Sequence, residues 1–394
     1  MKAVTWQGKR DVRVETVPDP KIQKPNDAVI RITSTALCGS DLHLYEVLGP
    51  FMEKGDILGH EPMGIVEDVG PEVTQIAVGD RVVIPFGIAC GRCDMCSGGL
   101  QSQCETTQMR SHDKGAALFG YTRLYGEVPG GQAEYLRVPF ADYGPMKVPE
   151  GPPDDRFLFL SDVLPTAWQA IQYAHVPSGG SLAILGLGPV GEMSARLARH
   201  LGIGPVFGLD LVPERLERAR NLGVEAFDVS NGRDDAIAAI RDRTDGRGPD
   251  SVIDAVGMEA HGDPFGKVAH TMSGFLPGAV AAPVMERAGV DRLAALRTCV
   301  ELVRRGGTIS IVGVYGGMVD PLPMMTLFDK QVALRMGQAN VRRWTDDLMP
   351  LVIDDDVLGL ESFASHHVAL DKAPEAYDRF QKKEAGTFKV VFRP

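Results

Sequence analysis

The sequence predicts an α/β protein in two parts, a β-rich domain and a doubly wound parallel sheet with helices on both faces. Three observations carry this. The chain has 394 residues, more than one hydrophobic core usually organises. Up to about Tyr143 its apolar runs are short, β-branched and bounded by Gly or Pro. From Asp162 onward helical periodicity alternates with compact apolar runs.

In order, MKAVTWQGKRDVRVETVPDP alternates like a strand and lacks the apolar core and cleavage site of a secretory signal. AVIRITSTAL, MGIVEDVG, DRVVIPF and AEYLRVP follow as strands. Helical DVLPTAWQAIQYAHV then leads to the run SLAILGLGPVG, helical EMSARLARHLG, strand-like VFGLD and helical VPERLERARNLG. These are β-α-β-α units, and they continue through DSVIDAVG, whose DAVG should end the fourth strand, and GGTISIVGVYG. From about Gly337 the chain ends in a helix containing APEAYDRFQKKE and an edge-strand-like TFKVVF, assigned back to the first domain. The expected boundaries are therefore 1–163, 164–337 and 338–394, with the parallel-sheet unit inserted into the β-rich one.

Composition excludes several classes of function. No apolar run approaches the roughly 18–20 residues that cross a bilayer, so no membrane partner is expected. The 41 basic and 52 acidic residues give a net charge of −11, which repels phosphate backbones, and no concentrated basic patch offsets it. Nucleic acid is not an expected partner, and a cytoplasmic location is.

Gly186, Gly188 and Gly191, with Pro189 and Val190 between them, form G-x-G-x-x-G after an apolar strand and before a helix. That context suits a dinucleotide pyrophosphate on a helix N-terminus: the glycines permit a tight turn, close backbone approach and close helix–strand packing. Nineteen residues beyond Gly191, Asp210 ends the next strand, where a carboxylate accepts ribose hydroxyls and repels a 2′-phosphate. This favours NAD over NADP, although a strand-ending Asp is also a common cap. Arg215, one helical turn on, is placed either at the adenosine end or on an exposed helix face.

Four of the six cysteines, Cys90, Cys93, Cys96 and Cys104, follow the spacing Cys-x2-Cys-x2-Cys-x7-Cys. Four thiolates from one short lobe suit tetrahedral zinc with no open position, a structural site. Disulfides and an iron–sulfur cluster are the alternatives. The sixth cysteine, Cys299, lies in the helical DRLAALRTCVELVRR and reads as core. Cys38 and His60, with Ser40, His43 and Glu61 close by, are ligand types that a catalytic zinc uses, but they make only two of three. Asp162 is a candidate third; packed core residues are the competing reading.

CGSDLH, GHE, CGRCDMCSGGLQSQC and GLGPVG, in this order and spacing, resemble the zinc-dependent medium-chain alcohol dehydrogenase superfamily over nearly the whole chain. GGQAEYLRVPFAD and LSDVLPT are similar to the branch of glutathione-independent formaldehyde dehydrogenase and formaldehyde dismutase. The resemblance implies a GroES-like catalytic domain and a Rossmann cofactor domain. It also implies two zinc ions per chain, with Cys38, His60 and Asp162 on the catalytic one and Glu61 beside it or an occasional ligand. Ser40 and His43 would form a proton relay, and Phe86 would line the substrate pocket. A homo-oligomer, dimer or tetramer, is expected.

The activity implied is hydride transfer between NAD and a small primary alcohol or hydrated aldehyde. Aldehyde dismutation with tightly bound NAD is the alternative, and a non-catalytic nucleotide-binding protein a third reading. Two stretches set the chain apart from shorter relatives: residues 105–131, and an insertion after Gly257 containing HTMSGFLPGAVAAPVM. The apolar insertion, from about His261 to Arg287, is expected to cover the adenosine side of the cofactor or to form a subunit interface.

Overall fold

The computed structural model describes residues 1–257, 293–315, 322–353 and 355–394. The chain divides into two compact units, Met1–Pro165 with Ala339–Pro394, and Thr166–Gln338.

The first unit opens with the antiparallel hairpin β1 (Lys2–Gly8) and β2 (Asp11–Thr16). Its main sheet begins with β3 (Ala28–Leu37), β4 (Glu61–Val69), β5 (Arg81–Val83), β6 (Tyr135–Val138) and β7 (Met146–Lys147). The AVIRITSTAL, MGIVEDVG, DRVVIPF and AEYLRVP runs supply β3 to β6. Ala28, Ile30, Val66, Val82, Leu136 and Val138 interlock in one of the unit's apolar clusters. Alternation of this kind is what half-buried strands require.

The second unit carries β8 (Leu182–Leu185), β9 (Val206–Asp210), β10 (Glu225–Asp228), β11 (Ser251–Asp254), β12 (Thr308–Ile311) and β13 (Ala333–Met336). All pairings are parallel, in the order β10-β9-β8-β11-β12-β13. This is the doubly wound order, and it reverses between β8 and β11. DAVG ends β11, the fourth strand, as its pattern predicts. The amphipathic sequences flanking these strands form helices Pro189–His200, Pro213–Asn221 and Ala294–Leu302. Cys299 is fully buried beside Leu296, Val300, Val252 and Ile309 and belongs to the core. The segment expected to cover the cofactor, 261–287, lies outside the described residues.

The chain then returns to the first unit as β14 (His366–Ala369), helix Ala373–Gln381 and β15 (Val390–Arg393). The sheet order there is β14-β15-β3-β4-β5-β7, with β6 also paired to β3. TFKVVF is therefore not an edge strand: β15 lies between β14, parallel to it, and β3, antiparallel to it. Two facts about burial explain the correction. Val390, Val391 and Phe392 are almost entirely buried, and Lys389, the kind of charge that usually blunts a sheet edge, is buried on a carboxylate.

Candidate active site

The cysteine lobe is built from tight turns. Gly91, at φ +74, turns the chain between Cys90 and Cys93; Cys93 caps the short helix Asp94–Ser97, which carries Cys96; and the turn Gln101–Gln103 delivers Cys104. One ligand atom from each cysteine lies within 4.8 Å of the other three. All four are free thiols, so the disulfide alternative is not what the structure adopts. Zinc–sulfur bonds of about 2.3 Å at tetrahedral angles imply edges of roughly 3.8 Å. Cys93 Sγ and Cys104 Sγ are 4.0 Å apart. The amide of Cys90 donates to Cys104 Sγ at 3.3 Å and that of Glu105 to Cys93 Sγ at 3.4 Å, contacts that favour thiolate. Burial opposes ionisation of Cys104, yet the Thr107 hydroxyl and nearby amides outweigh it and hold its thiol down at about 6.

The second cluster joins distant segments. Cys38 follows β3 and caps helix Gly39–Glu46, an element the sequence pattern does not mark; His60 and Glu61 stand at the start of β4; Asp162 follows the turn Phe159–Ser161. Ligand atoms of these four residues also lie within 4.8 Å of one another. Cys38 Sγ is 3.4 Å and His60 Nε2 3.5 Å from Asp162 Oδ2. For zinc with N, O and S ligands at about 2.0–2.3 Å, tetrahedral edges come to roughly 3.3–3.7 Å, so this donor set fits the metal. Its charges fit as well. Burial and the Asp162 and Glu61 carboxylates push the Cys38 thiol up to about 11, and a bound divalent cation inverts such a balance.

Ser40 Oγ is 3.1 Å from His60 Nε2. His43, on the same helix, is buried. Phe86 meets the His60 ring edge-on with centroids 6.4 Å apart.

Several functional neighbours escaped the sequence reading. Asp41 Oδ1 is 3.2 Å from His60 Nδ1, while its Oδ2 accepts from the Cys38 amide at 3.0 Å. A second carboxylate three residues into a helix was the available signal, since residues there fold back on the cap. Lys389 Nζ lies 2.6 Å from Glu61 Oε1, with both side chains fully buried, and Glu61 Oε2 has no hydrogen-bond partner. Tyr121, from the 105–131 stretch, stands edge-on to His60 at 6.5 Å. Nothing local in sequence marks Lys389 or Tyr121.

In the second unit the glycine loop joins β8 to helix Pro189–His200, with Gly188 as cap and Pro189 and Val190 opening the helix. Gly186 has φ +84. A Cβ on Gly191 would fall 1.8 Å from the Gly186 carbonyl oxygen, so the turn closes only with glycine there. Asp210 ends β9 and accepts from the amides of Leu187 at 2.6 Å, Leu211 at 2.7 Å and Val212 at 2.9 Å. Arg215 NH1 is 3.8 Å from Asp210 Oδ2, and its guanidinium lies beside Gly188 with the side chain only 18% exposed. Among the described residues no helix is long and apolar enough to cross a membrane.

Residues 24–150 match the alcohol dehydrogenase GroES-like domain family and residues 189–264 the zinc-binding dehydrogenase family. Over its full length the chain is 39% identical to the zinc-type alcohol dehydrogenase-like protein AdhB of Bacillus subtilis, all of which it covers. It is 34% identical to formaldehyde dismutase of Pseudomonas putida, across 99% of this chain and 97% of that one. Among solved structures, alcohol dehydrogenase TADH from Thermus sp. ATN1 superposes with a TM-score of 0.82 at 34% identity, covering 100% of this chain and 99% of that one.

Proposed function

The chain belongs to the zinc-dependent medium-chain alcohol dehydrogenase superfamily, and from that premise we propose that it transfers hydride between NAD and a small primary alcohol or hydrated aldehyde. The observation that carries this reading is the convergence of Cys38, His60, Glu61 and Asp162 in one cluster, with Ser40 against His60. Cys38, His60 and Asp162 would hold the catalytic zinc, with Glu61 beside it as an occasional ligand. The cysteine lobe would hold the structural zinc.

When bound, zinc supplies a Lewis acid that makes an alcohol hydroxyl more acidic, and the nicotinamide supplies the hydride acceptor. Ser40 accepts the hydroxyl proton as it gives up its own, and His43 takes that proton and passes it outward. Phe86 and Tyr121, both edge-on to His60, present apolar surface to the substrate's carbon chain. In the cofactor unit, the glycine loop Gly186–Gly191 receives the pyrophosphate. Asp210 at the end of β9 supports NAD over NADP, since it keeps a negative charge where a 2′-phosphate would sit, and Arg215 flanks it.

The 34% identity to a formaldehyde dismutase favours a second reading, dismutation with resident NAD, in which a hydrated aldehyde replaces the alcohol at the same residues. A homo-oligomer, dimer or tetramer, is part of the proposal. A panel of alcohols and aldehydes assayed with and without added NAD separates the readings: turnover that needs added NAD supports the dehydrogenase, and turnover without it the dismutase. Metal analysis tests the site itself. Cys38→Ser or His60→Ala should leave a folded, inactive protein with one zinc per chain, and variants that keep both ions would end the assignment.

A further inference from the structure

The contacts of Asp41 do not stop at His60. Its other oxygen accepts from Gln132 Nε2 at 3.2 Å, and Gln132 Oε1 in turn accepts from the Tyr377 hydroxyl at 2.8 Å. Asp41, Gln132 and Tyr377 are all completely buried. They come from three separated elements of the first unit: helix Gly39–Glu46, the segment before β6, and helix Ala373–Gln381.

The direction of each hydrogen bond follows from chemistry. A carboxylate is acceptor-only, so the amide must present its NH2 to Asp41 and its oxygen to Tyr377. The second amide hydrogen reaches the Ala36 carbonyl at 3.4 Å. Tyr377 is thereby fixed as a donor, and a flipped amide would set two acceptors face to face. The Gln132 side chain is also wedged against the backbone beside His60. Gly59 adopts φ +96, and a Cβ there would lie 2.3 Å from Gln132 Cγ. The Gln132 backbone N–H donates to the Leu58 carbonyl at 2.9 Å.

We infer that Gln132 and Tyr377 are positioning residues for the catalytic metal: together they hold Asp41 so that it faces His60 Nδ1 and leaves Nε2 as the metal-binding nitrogen. A carboxylate held by one backbone amide alone can rotate; one held also by an oriented, buried amide cannot. With Asp41 fixed, its Oδ1 stays 3.2 Å from His60 Nδ1, and neither atom has a hydrogen bond to any other group among the described residues; a proton on Nδ1 is thereby favoured, and the lone pair at Nε2 lies on the side of Ser40 and Asp162. This inference rests on the proposed role of Cys38, His60 and Asp162 as ligands.

The test follows zinc release from the full-length, zinc-loaded protein into a chromogenic chelator, with the cysteine lobe as an internal control in the same chain. Tyr377→Phe removes one oxygen and should speed release of one of the two ions by about tenfold. Gln132→Leu removes both links and should speed it by up to about a hundredfold, while the second ion leaves at the wild-type rate. Cobalt in the catalytic site of Tyr377→Phe should show a shifted visible spectrum. Equal acceleration of both ions, or wild-type release in Tyr377→Phe, overturns the inference; since that variant changes a single atom, it decides the matter if Gln132→Leu does not fold. A wild-type protein that binds only one zinc overturns the ligand assignment itself, and the positioning role with it.

Discussion

Replacing Lys389 by Met leaves the Glu61 carboxylate inside the protein without its cation. Both side chains are 0% exposed and the charged atoms are 2.6 Å apart, so water cannot take over the lost contact without opening the sheet next to β15. Glu61 Oε2 already lacks a hydrogen bond, so no second hydrogen bond replaces the lost ion pair. Removing one partner of a buried pair costs about 3–5 kcal/mol, whereas replacing both by uncharged groups of similar volume is often close to neutral. For a unit of this size, each kcal/mol shifts the unfolding midpoint by about 2–4 °C, so Lys389→Met should unfold roughly 6–20 °C lower. The double variant Glu61→Gln/Lys389→Met should regain most of the loss. Calorimetry of the zinc-loaded proteins measures both. If the single variant loses less than about 1 kcal/mol, or the double variant is no better than the single, the carboxylate is held by its neighbours in the Cys38, His60 and Asp162 cluster and not by Lys389.

Other perturbations address the cofactor, the relay and acid stability. Asp210→Gly should raise the use of NADP relative to NAD, read as the ratio of kcat/KM for the two; a wild type that already prefers NADP would reduce Asp210 to a cap for Leu211 and Val212. His43→Ala should slow turnover more at about pH 6–7 than at about pH 9, where hydroxide replaces the missing base, and an equal loss at every pH would point to packing. Burial opposes ionisation of Asp154, but hydrogen bonds from Ser34 and Thr33 and the Arg81 guanidinium prevail and hold its carboxyl below the usual range. A lowered native value contributes stability that is present above the unfolded value, about 3.9, and disappears as pH falls through the native one. Asp154→Asn should therefore be less stable than wild type at neutral pH, with the two converging in strong acid; a gap that persists unchanged there would refute the ionic contribution.

The parts of the site that depend on neighbours in sequence were legible. The cysteine lobe and the glycine loop are set by turns a few residues long, so spacing alone implies convergence. The β-α alternation of the second unit was equally readable, because each strand and helix carries its own period. Lys389 was not. In sequence it is a charged residue beside an apolar run, and only the pairing of β15 with β3 brings it to Glu61. Gln132 and Tyr377 look like ordinary surface and core residues until the Asp41 carboxylate gives them a common partner. Asp41 lies inside the CGSDLH stretch, yet its use depends on the helix that starts at Gly39, which is too short to leave a strong apolar period.

The separation of Glu61 from Lys389, 328 residues along the chain, has a consequence for biosynthesis. At elongation rates of about 5–20 residues per second, the ammonium reaches the carboxylate roughly 15–65 s after Glu61 is made. All of Thr166–Gln338 is translated in that interval and is contiguous, so it can finish folding while β3 still lacks the strand that flanks it. During that wait the nascent protein exposes an unpaired strand edge and a carboxylate that keeps its charge in water. That charge discourages association with neighbouring chains on the polysome, and the late lysine converts the same group from a solubilising one into part of the interior.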